Sequence, residues 1–137
     1  MLRGLALINI YADDVDAAKR WYAELLGIDA YFERPGYSEF RVGDYQHELG
    51  IIDRRYAPRA GAEGPGGAIA YWHVDDLAIA LERALSLGAT EHQPLTEWGD
   101  AGFATASVVD PFGNILGLMR NPHYLEVLEA KLTAAAD

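Results

Sequence analysis

Two stretches of this sequence decide its fold: LALINIYADD at positions 5–14 and AIAYWHVDD at positions 68–76. Each has the composition of a strand and ends in a pair of aspartates. Aligning Asp14 with Asp76 gives an offset of 62 residues (76 − 14). An aspartate at the start of a helical pattern is a typical N-cap, because its carboxylate accepts hydrogen bonds from the free N–H groups of the first turn. The repeat predicts two copies of one supersecondary unit.

An amphipathic segment follows each aspartate pair, at Val15–Leu26 and at 77–87. Apolar residues recur in both at the three- and four-residue spacing of a helix with one buried face. Gly27 and Gly88 come directly afterwards, and glycine readily adopts the left-handed conformation that ends many helices. We therefore expect strand, helix and glycine cap in each copy.

Three strand-like runs, separated by turn residues, follow each predicted helix. The order is βαβββ twice, which predicts an α+β fold of two tandem modules. We predict a single domain, 1–137, that divides into half 1 at about 4–56, a linker at 57–67, half 2 at about 68–121 and a C-terminal helix at 123–136. The predicted strands after the helices are 28–33, 37–42, 45–52, 90–97, 102–109 and 115–120.

Composition and charge narrow the classes of function. The 137 residues include no cysteine, so disulfides, thiolate metal sites and cysteine nucleophiles are excluded. The net charge of −10 disfavours nucleic acid and favours cationic ligands. No signal peptide or membrane-spanning run is evident, so we expect a cytoplasmic protein with no membrane partner.

Three motifs, in order, resemble the vicinal oxygen chelate superfamily, which includes glyoxalases, extradiol dioxygenases and bleomycin-resistance proteins. They are Asp14 with WYxxLLG at 21–27, VDDL at 74–77 and DPFGN at 110–114. The resemblance implies that the two βαβββ modules form a curved mixed sheet around a shared cleft, and commonly a homodimer. It does not identify the reaction, because function depends on the residues of the site.

The same resemblance implies four metal-ligand positions, each a His or Glu in the superfamily's metal enzymes. Three of them fall here on Leu7, Ile69 and Gly117, whose side chains cannot donate a lone pair. Glu48 is the one residue that can match the fourth. A divalent ion needs about three or more protein ligands. We therefore expect no metal and no other cofactor.

A divalent metal stays open as the alternative if the site has moved. Glu48 and His73, with His47 or His92, would then supply the ligands. No metal-ligand spacing in the sequence supports that arrangement.

Strand alternation predicts which side chains line the cleft, because successive residues point to opposite faces. Apolar positions such as Ile8, Ile10, Leu116 and Leu118 are expected under the helices. The side chains predicted to contact a ligand are therefore Leu7, Asn9, Tyr11, Glu48, Ile69, Tyr71, His73, Phe103 and Met119, with Trp98 as a further wall.

Glu48 and His73 are also the candidate catalytic groups, as an acid or base of the pocket. Each has a structural alternative: a half-exposed strand carboxylate for Glu48, and a strand-end histidine bonded near Asp75 for His73. His92 and His123 have no evident partner and are interpreted as surface residues. Ser107, like the other serines, has no evident histidine and aspartate partners, which argues against a hydrolase.

Three functions remain open. The first is a metal-independent protein that binds or sequesters a small aromatic or cationic molecule, as bleomycin-binding members of the superfamily do. The second is a lyase or isomerase of glyoxalase type that acts on a small carbonyl compound. The third is an accessory module whose cleft is vestigial.

Overall fold

The computed structural model describes residues 1, 3, 5–57, 64–66 and 68–136. It divides into two compact units, described separately here: unit 1 is Met1–Gly66 with Pro111–Asn114, and unit 2 is Gly67–Asp110 with Ile115–Asp137. Most of the predicted linker, at 58–63 and Gly67, lies outside the described residues.

Unit 1 has the order β1 (Leu7–Ala12), α1 (Val15–Leu26), β2 (Phe32–Arg34), β3 (Tyr37–Val42) and β4 (His47–Asp53), followed by a 3-10 turn. Its four-stranded sheet has the strand order β1-β4-β3-β2. The β1–β4 pair is parallel and the other two pairs are antiparallel, so the sheet is mixed. The core lies between α1 and one face of the sheet; its buried side chains are Ala12, Ala18, Tyr22, Phe40, Leu49 and Ile51.

Unit 2 repeats this order as β5 (Tyr71–His73), α2 (Leu77–Ser86), β6 (Thr90–Trp98), β7 (Phe103–Val109) and β8 (Ile115–Arg120). Its sheet has the equivalent strand order, β5-β8-β7-β6, again with one parallel pair. Small and branched side chains from β7 and β8 pack against α2; the buried set is Leu77, Ala84, Ala89, Ala104, Ala106, Val108, Leu116 and Leu118. The α+β class and the two tandem βαβββ modules are confirmed.

Both helices begin as the aspartate pairs predict. The Asp14 carboxylate accepts a hydrogen bond from the Ala17 N–H at 3.0 Å, and Asp76 caps α2 through Ile79 in the same way. At the end of α1, Gly27 takes φ +70° and donates its N–H to the Ala23 carbonyl. The capping predictions are confirmed, because the aspartate side chains and Gly27 bind backbone groups that the helix itself leaves without partners at its ends.

Asn114, the last residue of the turn at 110–114, binds the backbone of β1. Asn114 belongs to unit 1, and its side-chain amide bonds both backbone groups of Tyr11: Oδ1 accepts from the N–H at 3.2 Å and Nδ2 donates to the carbonyl at 2.8 Å. β1 is an edge strand of its sheet, so Asn114 satisfies backbone groups that no neighbouring strand pairs.

Two strands are shorter than predicted. β2 begins at Phe32 instead of at position 28, because the residues after Gly27 form the turn that leaves the helix. β5 covers only Tyr71–His73, so Ile69 precedes the strand. The other strand predictions agree with the structure to within two residues.

The predicted C-terminal helix is confirmed as α3, Pro122–Ala136. None of its residues is buried, and Leu125 and Leu132 are exposed by 45% and 63%. None of the described helices is long and apolar enough to cross a membrane.

Candidate functional site

The face of the unit 1 sheet opposite α1, here called the distal face, carries the candidate site. The registers of the four strands place alternate residues there. Its side chains are Leu7, Asn9 and Tyr11 from β1, Glu48 and Ile52 from β4, Tyr37, Glu39 and Arg41 from β3, and Phe32 and Arg34 from β2.

A buried carboxylate lies on this face. Glu39 is only 7% exposed, and its Oε1 accepts a hydrogen bond from the Tyr37 hydroxyl at 2.5 Å. Burial, this hydrogen bond and the negative charges of Glu39 and Glu48 raise the pKa of Tyr37 well above its ordinary value. Tyr37 therefore stays protonated and acts as a donor, while Glu39 presents an anionic acceptor.

Gly50 allows the polar groups of this face to approach one another. A methyl group at position 50 would lie 2.5 Å from Asn9 Oδ1 and 3.0 Å from the Tyr37 hydroxyl oxygen. The first distance is shorter than a side-chain carbon tolerates, and the second is tighter than most carbon contacts. Asn9 and Tyr37 thus occupy the space above the strand where a larger residue would place its own side chain.

Aromatic rings border the buried carboxylate. The ring of Phe32 lies 6.4 Å from that of Tyr37 and 6.2 Å from that of Tyr31. Phe32 is 37% exposed and Tyr31 48% exposed. The guanidinium of Arg41 stacks on the Tyr31 ring at 3.9 Å and donates to its hydroxyl at 3.0 Å. A ligand on this face would meet the carboxylates of Glu39 and Glu48 and accessible aromatic surface.

The residues predicted from β1 and β4 lie on the distal face. Leu7 is opposite Glu48 in the register, and Asn9 is opposite Gly50. Leu7 is 40% exposed, and Glu48 and Tyr11 are half-buried. The structure therefore brings together Leu7, Asn9, Tyr11 and Glu48 on one surface. Their contact with a ligand stays a prediction.

In unit 2, the corresponding face has its own close approach. Tyr71 pairs with Gly117 across β5 and β8, and a methyl group at position 117 would lie 2.7 Å from the Tyr71 ring and 2.6 Å from the Ala70 carbonyl oxygen. The ring of Tyr71 therefore covers Gly117, while remaining 38% exposed at its other edge.

His73 lies at the end of β5 beneath the first turn of α3. Its Nδ1 accepts a hydrogen bond from the Asn121 N–H at 3.1 Å, and its ring stacks on Tyr124 at 4.6 Å. The side chain is 7% exposed, and Nε2 lies 3.8 Å from an Asp75 carboxylate oxygen without a hydrogen bond. His73 is therefore a strand-end histidine, but its hydrogen bond is with Asn121 and not with Asp75. Its contact with a ligand stays a prediction.

The strand registers place Phe103, Met119 and Trp98 on the same face of the unit 2 sheet as Tyr71 and His73. Phe103 and Met119 are half-buried on β7 and β8, and Ile69 is half-buried before β5. Trp98 is 55% exposed, and its indole N–H donates to Thr105 Oγ1 at 2.8 Å. Their contact with a ligand stays a prediction.

Sequence reasoning missed Glu39, Tyr37 and the pair formed by His92 and Ser107. The prediction that His92 is without a partner is wrong: its Nδ1 lies 2.8 Å from Oγ of the fully buried Ser107. This contact depends on the irregular β6–β7 register, which the sequence does not reveal. Side-chain alternation could have placed Glu39 on the distal face, because Ser38 and Phe40 on either side of it face the core.

The strand registers identify the fourth metal-ligand position implied by the resemblance. Asn9 and Tyr71 correspond at the repeat offset (71 − 9 = 62), and their partners are Gly50 and Gly117. Gly50, and not Glu48, is therefore the counterpart of Gly117. All four positions then hold Leu, Ile or Gly, and side chains already fill the space above both glycines.

The residues present at these positions therefore do not fit a divalent ion. Within residues 1, 3, 5–57, 64–66 and 68–136, no group of three or more His, Cys, Asp or Glu side chains is placed to hold a metal.

A depression of about 690 Å³ lies elsewhere on unit 1, at the start of α1 and the β2–β3 turn. Charged side chains of both signs line it, including Asp14, Lys19, Arg34 and Asp53. None of the predicted ligand-binding residues lines this depression.

Comparison with known proteins agrees with this architecture. A glyoxalase-related enzyme from Fulvimarina pelagi has 23% identity and a TM-score of 0.71, covering 88% of this chain and 90% of that one. Lactoylglutathione lyase from Agrobacterium tumefaciens has 23% identity and a TM-score of 0.66 over 86% and 93% of the two chains.

A glyoxalase/bleomycin resistance protein from Catenulispora acidiphila has 22% identity and a TM-score of 0.62 over 87% and 100%. At these identities the likeness shows the fold alone. No curated protein matches this chain. The family model of the Glyoxalase/Bleomycin resistance protein/Dioxygenase superfamily matches residues 4–118, and the chain belongs to that superfamily.

Proposed function

We propose that this protein binds or sequesters a small aromatic or cationic molecule on the distal face of unit 1, without a metal. The observation that carries the proposal is the Glu39 carboxylate, which is nine-tenths buried and held by the Tyr37 hydroxyl. Desolvating a carboxylate is unfavourable unless it gains compensating interactions. A cationic ligand would supply a second interaction, and the net charge of −10 would attract it.

The aromatic part of the proposal rests on Tyr31 and Phe32. Their rings are partly exposed at the border of the same surface, where they offer apolar area and π-faces. A cation with an aromatic ring would pair its charge with Glu39 and pack its ring against this border.

Calorimetric titration with phenethylamine tests this function. We expect binding that weakens as salt is raised, since part of the attraction is electrostatic. Glu39→Gln should abolish or strongly reduce binding. Glu82→Gln makes the same change of charge at an exposed position of α2 and should leave binding unchanged. Equal affinity in the wild type and Glu39→Gln would contradict the proposal.

A second candidate is the glyoxalase-type lyase or isomerase. The Tyr37–Glu39 pair favours it, because a buried carboxylate can accept a proton from a carbon next to a carbonyl. The Tyr37 hydroxyl would then transfer its one donated hydrogen bond from Glu39 to the carbonyl oxygen. Exchange of that proton with deuterated water, measured by NMR on a small α-keto aldehyde, tests it. Exchange at the same rate in Glu39→Gln would exclude Glu39 as the base.

A further inference from the structure

The guanidinium of Arg41 lies on the distal face and is stacked on an aromatic ring. Arg41 is exposed, and both of its side-chain contacts are with Tyr31: a hydrogen bond at 3.0 Å and stacking at 3.9 Å. Within the described part of the chain, Arg41 forms no ion pair. This is notable in a chain with ten more acidic than basic residues.

The obvious partner of Arg41 is Glu48, which is directly opposite on β4. Opposite charges at such positions normally pair. Among the residues that the structure describes, Glu48 forms no ion pair either, and the Arg41 guanidinium lies over Tyr31 instead. Stacking and one hydrogen bond fix the plane of the guanidinium and leave further N–H groups available.

Arg41 follows Glu39 by two residues on the same strand, so both side chains point to the same face. Their backbone positions are separated by about 7 Å, at roughly 3.3 Å per residue. A ligand placed between them would meet a carboxylate on one side and a guanidinium on the other. If the ligand forms hydrogen bonds of about 2.8 Å with both Glu39 and Arg41, its ammonium and its carboxylate must be only a few atoms apart.

We propose that Arg41, oriented by Tyr31, forms an anion subsite next to Glu39, and that the ligand is a zwitterion carrying an ammonium and a carboxylate. This inference rests on the proposed function, because it assigns the second charge of the same ligand. Arginine suits this role, since its planar fork binds a carboxylate through two parallel hydrogen bonds.

Three compounds with one phenyl group and a short chain test the assignment by calorimetry: phenylalanine, phenethylamine and 3-phenylpropionate. The second lacks the carboxylate of the first, and the third lacks its ammonium. We expect phenylalanine to bind about tenfold or more tighter than phenethylamine. 3-Phenylpropionate should bind weakly, because Glu39 and Glu48 repel it.

The variant Arg41→Gln should lower the affinity for phenylalanine by about tenfold and leave phenethylamine binding unchanged or slightly stronger, since a nearby positive charge is removed. Phenethylamine binding also shows that the variant is folded. Arg20 is an exposed residue of α1, and Arg20→Gln is the control for the loss of one positive charge.

The outcomes separate the two proposals. If phenethylamine binds but phenylalanine binds no tighter, or if Arg41→Gln weakens both equally, the anion subsite is overturned and the binding function stands. If neither amine binds the wild type, the proposed function itself fails.

Discussion

Gly50→Ala is the sharpest test of the distal face, because it adds one methyl group and removes no functional group. The backbone at Gly50 is not in the left-handed region, so alanine is sterically allowed by the main chain. The new carbon would meet Asn9 Oδ1 at 2.5 Å and Tyr37 at 3.0 Å. The Asn9 side chain must therefore move, and the Tyr37 ring must shift by a few tenths of an ångström.

The expected cost follows from two opposing effects. Forcing an extra methyl group into a filled space costs about 1–3 kcal/mol. Replacing glycine restricts the unfolded chain and returns about 0.4–1 kcal/mol. The overpacking is the larger effect, so we expect a net loss of about 0.5–2 kcal/mol in the free energy of unfolding. The melting temperature should fall by roughly 2–8 °C.

Urea denaturation followed by circular dichroism measures this loss. Gly66→Ala is the matched control, because a methyl group there meets no atom within 4 Å and the residue is not left-handed. The control should be as stable as the wild type or slightly more stable. If Gly50→Ala behaves like the control, Asn9 and Tyr37 are not packed over Gly50 as described.

Three further predictions concern titration, capping and metal. Tyr37 should ionise at higher pH than exposed tyrosines in a titration at 295 nm. Its native pKa is raised above the unfolded value of about 10, so its contribution to stability is complete below that pH and declines as pH rises further. Tyr37→Phe should remove this decline. Asp14→Ala should lower the free energy of unfolding by about 1 kcal/mol in urea denaturation, since the Ala17 N–H loses its acceptor, and an unchanged midpoint would refute the capping role. Dialysis against Ni²⁺ or Zn²⁺ followed by elemental analysis should leave less than stoichiometric metal, because Gly50 and Gly117 offer no donor; one tightly held ion per chain would contradict the assignment of these positions.

Local sequence determined the secondary structure and the repeat. Asp14 and Asp76 cap helices because capping depends on atoms within three residues, and Gly27 ends α1 because of its own backbone freedom. Alternation then placed Leu7 and Asn9 on the face opposite the helix. Each of these features depends on a short segment, so the sequence alone was sufficient to predict it.

The contacts between strands were decided only by the tertiary structure. Glu39 and Glu48 share one face, yet only Glu39 is buried and bonded by Tyr37, because burial depends on what neighbouring strands place above a residue. The parallel register identified Gly50 as the counterpart of Gly117, and the β6–β7 register joined His92 to Ser107. The first register pairs strands that are separated in the chain by α1, β2 and β3, and the second is shifted between Glu91 and Thr96. Neither follows from the alternation of side chains within one strand, because a register also depends on the partner strand and the turn.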